Sequence, residues 1–87
     1  MSEEELIDFP TRFPVKVMGR NTETFASHAQ SLVLQHTNGE TALAVASRPS
    51  TNGRFLSVTI DITARSREQL DAIYQSLTDD PEVLMAL

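Results

Sequence analysis

A chain of 87 residues has room for one domain and none for a second core. It has no cysteine, which removes disulfides, thiolate metal sites and thiol nucleophiles together and fits a reducing, cytoplasmic compartment. The formal charge is −5, from 12 acids and 7 bases, yet Glu3, Glu4, Glu5 and Asp8 all precede the first structural signal, and the remainder holds 8 acids against 7 bases.

A body this close to neutral disfavours general affinity for nucleic acid or anionic membrane, since both need a basic surface. The acidic start is unlike a secretory signal, and no apolar stretch approaches the ~20 residues of a membrane span. A domain of this size buries only roughly 60–65% of its unfolded surface, so help from a second chain is expected.

Residues 1–8 read as an acidic, flexible lead-in and residues 9–87 as a single domain. Phe9-Pro10 and Phe13-Pro14 bracket an extended approach, because a residue before proline is pushed out of the helical region. The first strand is expected over Val15 to Gly19, and Asn21 is the expected N-cap of a helix over roughly residues 22–37. Phe25, Ala29, Leu32, Val33 and His36 share one face of that helix, and Asn38-Gly39 stops it.

A second strand is expected over 41–48, with Leu43 and Val45 on one face and Ala42, Ala44 and Ala46 on the other. Pro49 near its end suits an edge strand, and Asn52-Gly53 suits a turn. The clearest strand follows: Leu56, Val58, Ile60, Ile62 and Ala64 alternate with Phe55, Ser57, Thr59, Asp61 and Thr63, one face on a core and one left open. Ser66-Arg67-Glu68-Gln69 is a capping-box pattern opening a second helix, whose stripe is Leu70, Ile73, Tyr74 and Leu77. Asp79-Asp80-Pro81 ends that helix, and Val83 to Leu87 forms a last strand.

The order is βαββαβ. Two helices that must bury their stripes cover one face of a four-stranded antiparallel sheet, and connection rules favour the order 4-1-3-2. The expected class is α+β, a ferredoxin-like sandwich.

The residues Phe9-Pro10-Thr11-Arg12-Phe13-Pro14-Val15-Lys16-Val17-Met18-Gly19 resemble the opening of the YbeD-like family of small uncharacterised bacterial proteins. Arg48-Pro49-Ser50-Thr51-Asn52-Gly53-Arg54-Phe55-Leu56-Ser57-Val58 and the ending Val83-Leu84-Met85-Ala86-Leu87 resemble it too. The resemblance implies a βαββαβ fold similar to ACT-type regulatory domains, which bind small effectors such as amino acids. It implies no catalytic activity, and a similar fold does not carry function across.

The chain offers no catalytic constellation. Its serines and threonines have no paired base, and Asp79-Asp80 reads as a helix-ending turn. His28 and His36 stand eight apart on one helix, without cysteine or a carboxylate pair in view, so no metal site and no cofactor is expected. His36 is expected at the helix C-terminus, where its charge suits the dipole, and His28 as a boundary residue between core and surface. An RNA-recognition platform needs aromatics on the open faces of strands one and three, and Lys16, Met18, Phe55, Ser57, Thr59, Asp61 and Thr63 supply one aromatic and one acid.

Two surfaces remain. The end of the sheet near Gly19 gathers Arg20, Arg48 and Arg54 close to the start of helix one, where free N–H groups favour an anion and Gly19 lets a ligand approach the backbone. The expected ligand site is therefore Gly19, Arg20, Asn21, Arg48 and Arg54, taking a small anionic metabolite. Solvated arginines at a turn are the plain alternative, and Asp79, Asp80 and Glu82 at the same end are placed to neutralise them. The open face, with Met18, Ala44, Ala46, Phe55 and Leu84, is the expected interface for a protein partner, and a second copy is expected to pair through that face or through edge strand two, which has no charge between Glu40 and Arg48.

Overall fold

In the computed structural model, which describes residues 7–87, the elements run β1 (Thr11–Arg20), α1 (Phe25–Leu34), β2 (Ala44–Pro49), β3 (Phe55–Ala64), α2 (Arg67–Asp79) and β4 (Val83–Ala86). Most of the acidic lead-in lies outside the described residues. The strands form one sheet in the order β2-β3-β1-β4, each neighbouring pair antiparallel. This is the expected α+β, ferredoxin-like βαββαβ arrangement, with both helices on one face.

The alternation in β3 sets that face. Leu56, Val58, Ile60, Ile62 and Ala64 are buried, and Val15 and Val17 of β1 stand beside them in register. Phe25, Ala29, Leu32 and Val33 of α1 and Leu70, Ile73 and Leu77 of α2 are buried on their helices. All of these but Leu70 and Ala64 form one core cluster. Ser66 caps α2 as its sequence predicts: its hydroxyl accepts from the Gln69 N–H (3.1 Å). The Gln69 side chain reaches back one residue further than a capping box requires, accepting from the Arg65 N–H (2.6 Å).

Three boundaries differ from expectation. β1 starts at Thr11, running through Pro14. Lys16 exchanges both backbone hydrogen bonds with Leu87, so even-numbered β1 residues face the β4 side, and β4 does not reach as far as Pro14. The missing proline donor therefore faces no partner strand.

α1 is shorter than expected and is capped by Thr24, without a side-chain cap bond. Asn21, the expected cap, instead donates its Nδ2 to the Gly53 carbonyl (3.0 Å). At the other end, His36 lies beyond the helix and bonds Ser76 through Nε2 (2.7 Å), so its role is a tie to α2 rather than a dipole cap. Asn38 and Gly39 take positive φ (52° and 84°), as a stop requires.

β2 starts at Ala44, and every one of its residues is exposed. The helices cover β3, β1 and β4 and leave β2 bare, so Val45 (42% exposed) stays in solvent although it points to the helix-bearing side. Ahead of the strand the chain bends at Leu43, which is 52% exposed, and Ala42, expected on the same face as Ala44 and Ala46, packs against the core instead. Among the described residues, no helix is long and apolar enough to cross a membrane.

Candidate functional site

The ladder register assembles the open face row by row. Arg48 lies opposite Ser57, Ser57 opposite Met18, and Met18 opposite Met85, one row across all four strands. The next row pairs Phe55 with Arg20, and the row on the other side brings together Ala46, Thr59 and Lys16. These side chains alternate with the buried set, so they occupy the helix-free face.

The β2–β3 hairpin closes one end of that face and is held by its own side chains. Asn52 Oδ1 accepts from the Ser50 hydroxyl (2.9 Å) and from the Arg54 N–H (3.0 Å). Ser50 Oγ accepts from the Phe55 N–H (3.1 Å), and Gly53 supplies the positive φ of 75°. The Asn21 N–H donates to the Arg54 carbonyl (2.9 Å), which together with the Asn21 side chain ties the exit of β1 to the hairpin. Under this hairpin lies a hollow of about 300 Å³, lined by Met18, Arg48, Pro49, Ser50, Thr51, Phe55 and Ser57. Phe55 and Met18 give it an apolar wall, three hydroxyls give donors and acceptors, and Arg48 gives one charge.

A second hollow, about 190 Å³, sits at the same end of the sheet between Arg20, Thr22, Phe25, Pro81, Glu82 and Leu84. The expected arginines are therefore divided: Arg48 lines the first hollow, Arg20 the second, and Arg54 neither. Gly19 is buried, and its role differs from the expected one. A Cβ built there would overlap the Phe25 ring and lie 2.7 Å from the Glu82 carbonyl, so the space that a ligand was expected to use is filled by the protein itself. Of the expected interface residues, Met18 and Phe55 share the first hollow, while Ala44 and Ala46 lie further along β2. The hydroxyls of Ser50, Thr51 and Ser57 were not anticipated as site residues. Only Ser57 had a signal, its place beside Phe55 on the open side of β3.

The acids expected to neutralise the arginines are otherwise engaged. Asp80 Oδ2 and Glu82 Oε2 lie 2.9 and 3.2 Å from His28 Nε2, and Asp79 accepts from Gln75 Nε2 (2.9 Å). Burial works to raise the Asp80 carboxyl, but hydrogen bonds from His28 and from the Glu82 N–H, with the His28 charge and the Val83 N–H, outweigh it and hold it below its ordinary range. His28 thus has the carboxylate pair that the spacing of the two histidines did not reveal. Ligand atoms of His28, Asp80 and Glu82 lie within 4.8 Å of one another, so these three are the residues that could meet a cation.

The remaining ion pairs sort the basic residues into two groups. Arg12 meets Asp61 (2.7 Å), Arg65 meets Glu40 (2.6 Å) and Arg67 meets Asp71 (3.4 Å). The Glu40 carboxyl is lowered from its ordinary value by the Arg65 hydrogen bonds. Among the described residues, Lys16, Arg20, Arg48 and Arg54 have no carboxylate partner, and all four belong to the open face or its hairpin end.

Comparison with known proteins agrees with the resemblance and leaves the chemistry open. The family profile described as "Protein of unknown function (DUF493)" matches residues 4–87. A UPF0250 protein of Chromobacterium violaceum is 44% identical over 89 residues, covering 100% of both chains, and one of Nitrosomonas europaea is 41% identical over 87 residues, also covering 100% of both. Among solved structures, the protein HP0495 from H. pylori superposes with a TM-score of 0.68 at 15% identity, covering 93% of this chain and 85% of that one. The C-terminal domain of the MgtC protein from Mycobacterium tuberculosis gives 0.63 at 15% identity, covering 93% and 88%. At that identity the likeness is one of fold.

Proposed function

The chain belongs to the DUF493 family of proteins of unknown function, which takes in the UPF0250 relatives, and we propose that it is a non-enzymatic regulatory module binding a small anionic metabolite. The observation that supports this reading is the sorting of charge. A chain with 12 acids against 7 bases leaves Lys16, Arg20, Arg48 and Arg54 without carboxylate partners among the described residues, each on a strand of the open face or in its hairpin. The hollow beneath the hairpin is the binding place, with Arg48 as the anion contact. A guanidinium pairs two oxygens of a carboxylate or phosphate at once. Phe55 and Met18 offer an apolar wall to the body of the ligand, and Thr51 and Ser57 offer hydroxyls to its polar groups, the Ser50 hydroxyl being held within the hairpin. A volume of about 300 Å³ suits a molecule of amino-acid or sugar-phosphate size. Arg20 and Arg54, at the same end of the face, raise the local potential for an anion.

The experiment is thermal stability at low salt against carboxylates, nucleotides and sugar phosphates, on the wild type, Arg48→Ala and Arg20→Ala. Stabilisation by one compound that is lost in Arg48→Ala supports the reading, and a flat response to the whole panel refutes it. A second reading, a protein-interaction adaptor using the open face without a small ligand, is favoured by the exposure of Leu84 and Met85 (54% and 51%). They extend the apolar surface beyond what a small molecule would cover.

A further inference from the structure

β2 is an edge strand, and its outer backbone groups follow from the pairing with β3. Ser50 lies in register with Phe55 and donates its N–H to the Phe55 carbonyl (2.9 Å). Antiparallel ladders alternate, so the even-numbered Arg48, Ala46 and Ala44 also direct their N–H and C=O groups to β3, and Val45 and Ser47 direct theirs outward. This edge has no charge between Glu40 and Arg48, pairs regularly with β3 from Ala44 to Pro49 and has no helix over it, so the usual guards of an edge strand are missing.

We propose that β2 pairs antiparallel with β2 of a second copy of this chain, in the register that sets Ala46 opposite Ala46 of the second copy. In this register Val45 lies opposite Ser47 of the other chain, and the reverse holds by symmetry. All four outward N–H groups and their carbonyls then find partners. Shifting two residues one way sets Ser47 opposite Leu43, whose N–H is already donated to the Asp61 carbonyl (2.7 Å). Shifting two residues the other way sets Val45 opposite Pro49, which has no N–H to give. Each shift still gives the four N–H groups acceptors, but it leaves two carbonyls, those of Ser47 or those of Val45, without the donors that the central register supplies.

The side chains agree with the backbone. Arg48, the one charged residue of β2, falls opposite Ala44 of the second copy and not opposite another Arg48, so no like charges meet. Val45 lies in register with Ile60, on the helix-bearing side of the sheet. The two-fold axis is perpendicular to the sheet, so both copies carry their helices on one side of a continuous sheet. The exposed Val45 of each copy then lies in the gap between the two helix layers. The open face, with the hollow at Arg48, stays uncovered.

Cysteine substitution reads the register directly, because the chain has no other thiol. Across a non-hydrogen-bonded antiparallel pair the Cα atoms are about 4.5 Å apart, within disulfide reach. Ala46→Cys is therefore expected to form an intermolecular disulfide under mild oxidation. Ala44→Cys, about 13 Å from its counterpart at ~3.3 Å per residue, is expected to form none. By sedimentation, the wild type is expected to dimerise with rising concentration. Ser47→Pro, which deletes an outward donor, and Val45→Lys, on a side chain already in solvent, are expected to sediment as monomers with unchanged far-ultraviolet circular dichroism. If Ser47→Pro disturbs the strand, Val45→Lys carries the test alone. A wild type that stays monomeric at high concentration overturns the proposal, as does a dimer that survives Val45→Lys or an Ala44→Cys chain that cross-links as readily as Ala46→Cys.

Discussion

Gly19 on β1 and Phe25 at the start of α1 occupy adjoining space, and the absence of a side chain at Gly19 is what lets the Phe25 ring reach full burial. A Cβ at Gly19 would overlap the ring and lie 2.7 Å from the Glu82 backbone carbonyl. Gly19→Ala is expected to destabilise by ~1–3 kcal/mol, the usual range for overpacking a filled core. Phe25→Leu in the same chain is expected to recover part of that loss, since a smaller side chain frees the space. Urea melts of both variants check this. Equal costs with and without Phe25→Leu would mean the ring is not what constrains Gly19.

Ile60 lies at the centre of the core with no exposed surface. Ile60→Ala is expected to cost ~2–4 kcal/mol through lost transfer energy and a residual cavity. Thr59→Ala, next along the strand and on the open face, is expected to change stability by less than about 0.5 kcal/mol. A reversal of that order in chemical denaturation would place β3 in the wrong register.

The Asp80 carboxyl ionises more readily folded than unfolded. The unfolded chain therefore binds the extra proton first as pH falls, so Asp80 contributes stability above the ordinary carboxylate range. That contribution is lost as pH drops through the folded value. Asp80→Asn is expected to lower stability at neutral pH and to flatten the decline between about pH 5 and pH 2. Denaturation midpoints across that range give the slope, and an unchanged slope would show that Asp80 is not held down by His28 and the Glu82 N–H.

Much of this fold was legible because its signals are local. The alternation from Leu56 to Ala64 and the stripe of Leu70, Ile73 and Leu77 each name a buried face, and Ser66 with Gln69 marks the start of α2. What was hidden depends on residues distant in sequence. Asn21 reads as a helix cap until Gly53 is found beside it, 32 residues on. His28 appears without carboxylates until the chain returns to Asp80 and Glu82 after α2. Pro14 reads as part of an approach to the first strand until β4 proves too short to need its N–H and leaves it within β1. The same holds for the site. The arginines could be sent to one end of the sheet from topology alone, but dividing Arg48 from Arg20 needs the register that sets one opposite Ser57 and the other opposite Phe55.

The central claim is that an anion binds in the hollow at Arg48, and an amide chemical-shift titration tests it most directly in a protein of 9.6 kDa. Small carboxylates, nucleotides and sugar phosphates are added to the labelled full chain at low salt, where screening least weakens a surface site. A binding compound is expected to shift the amides of Met18, Arg48, Ser50, Thr51, Phe55 and Ser57 together, to leave those of α2 still, and to shift none of them in Arg48→Ala. Shifts that gather elsewhere, that persist in Arg48→Ala, or that no compound produces would contradict it.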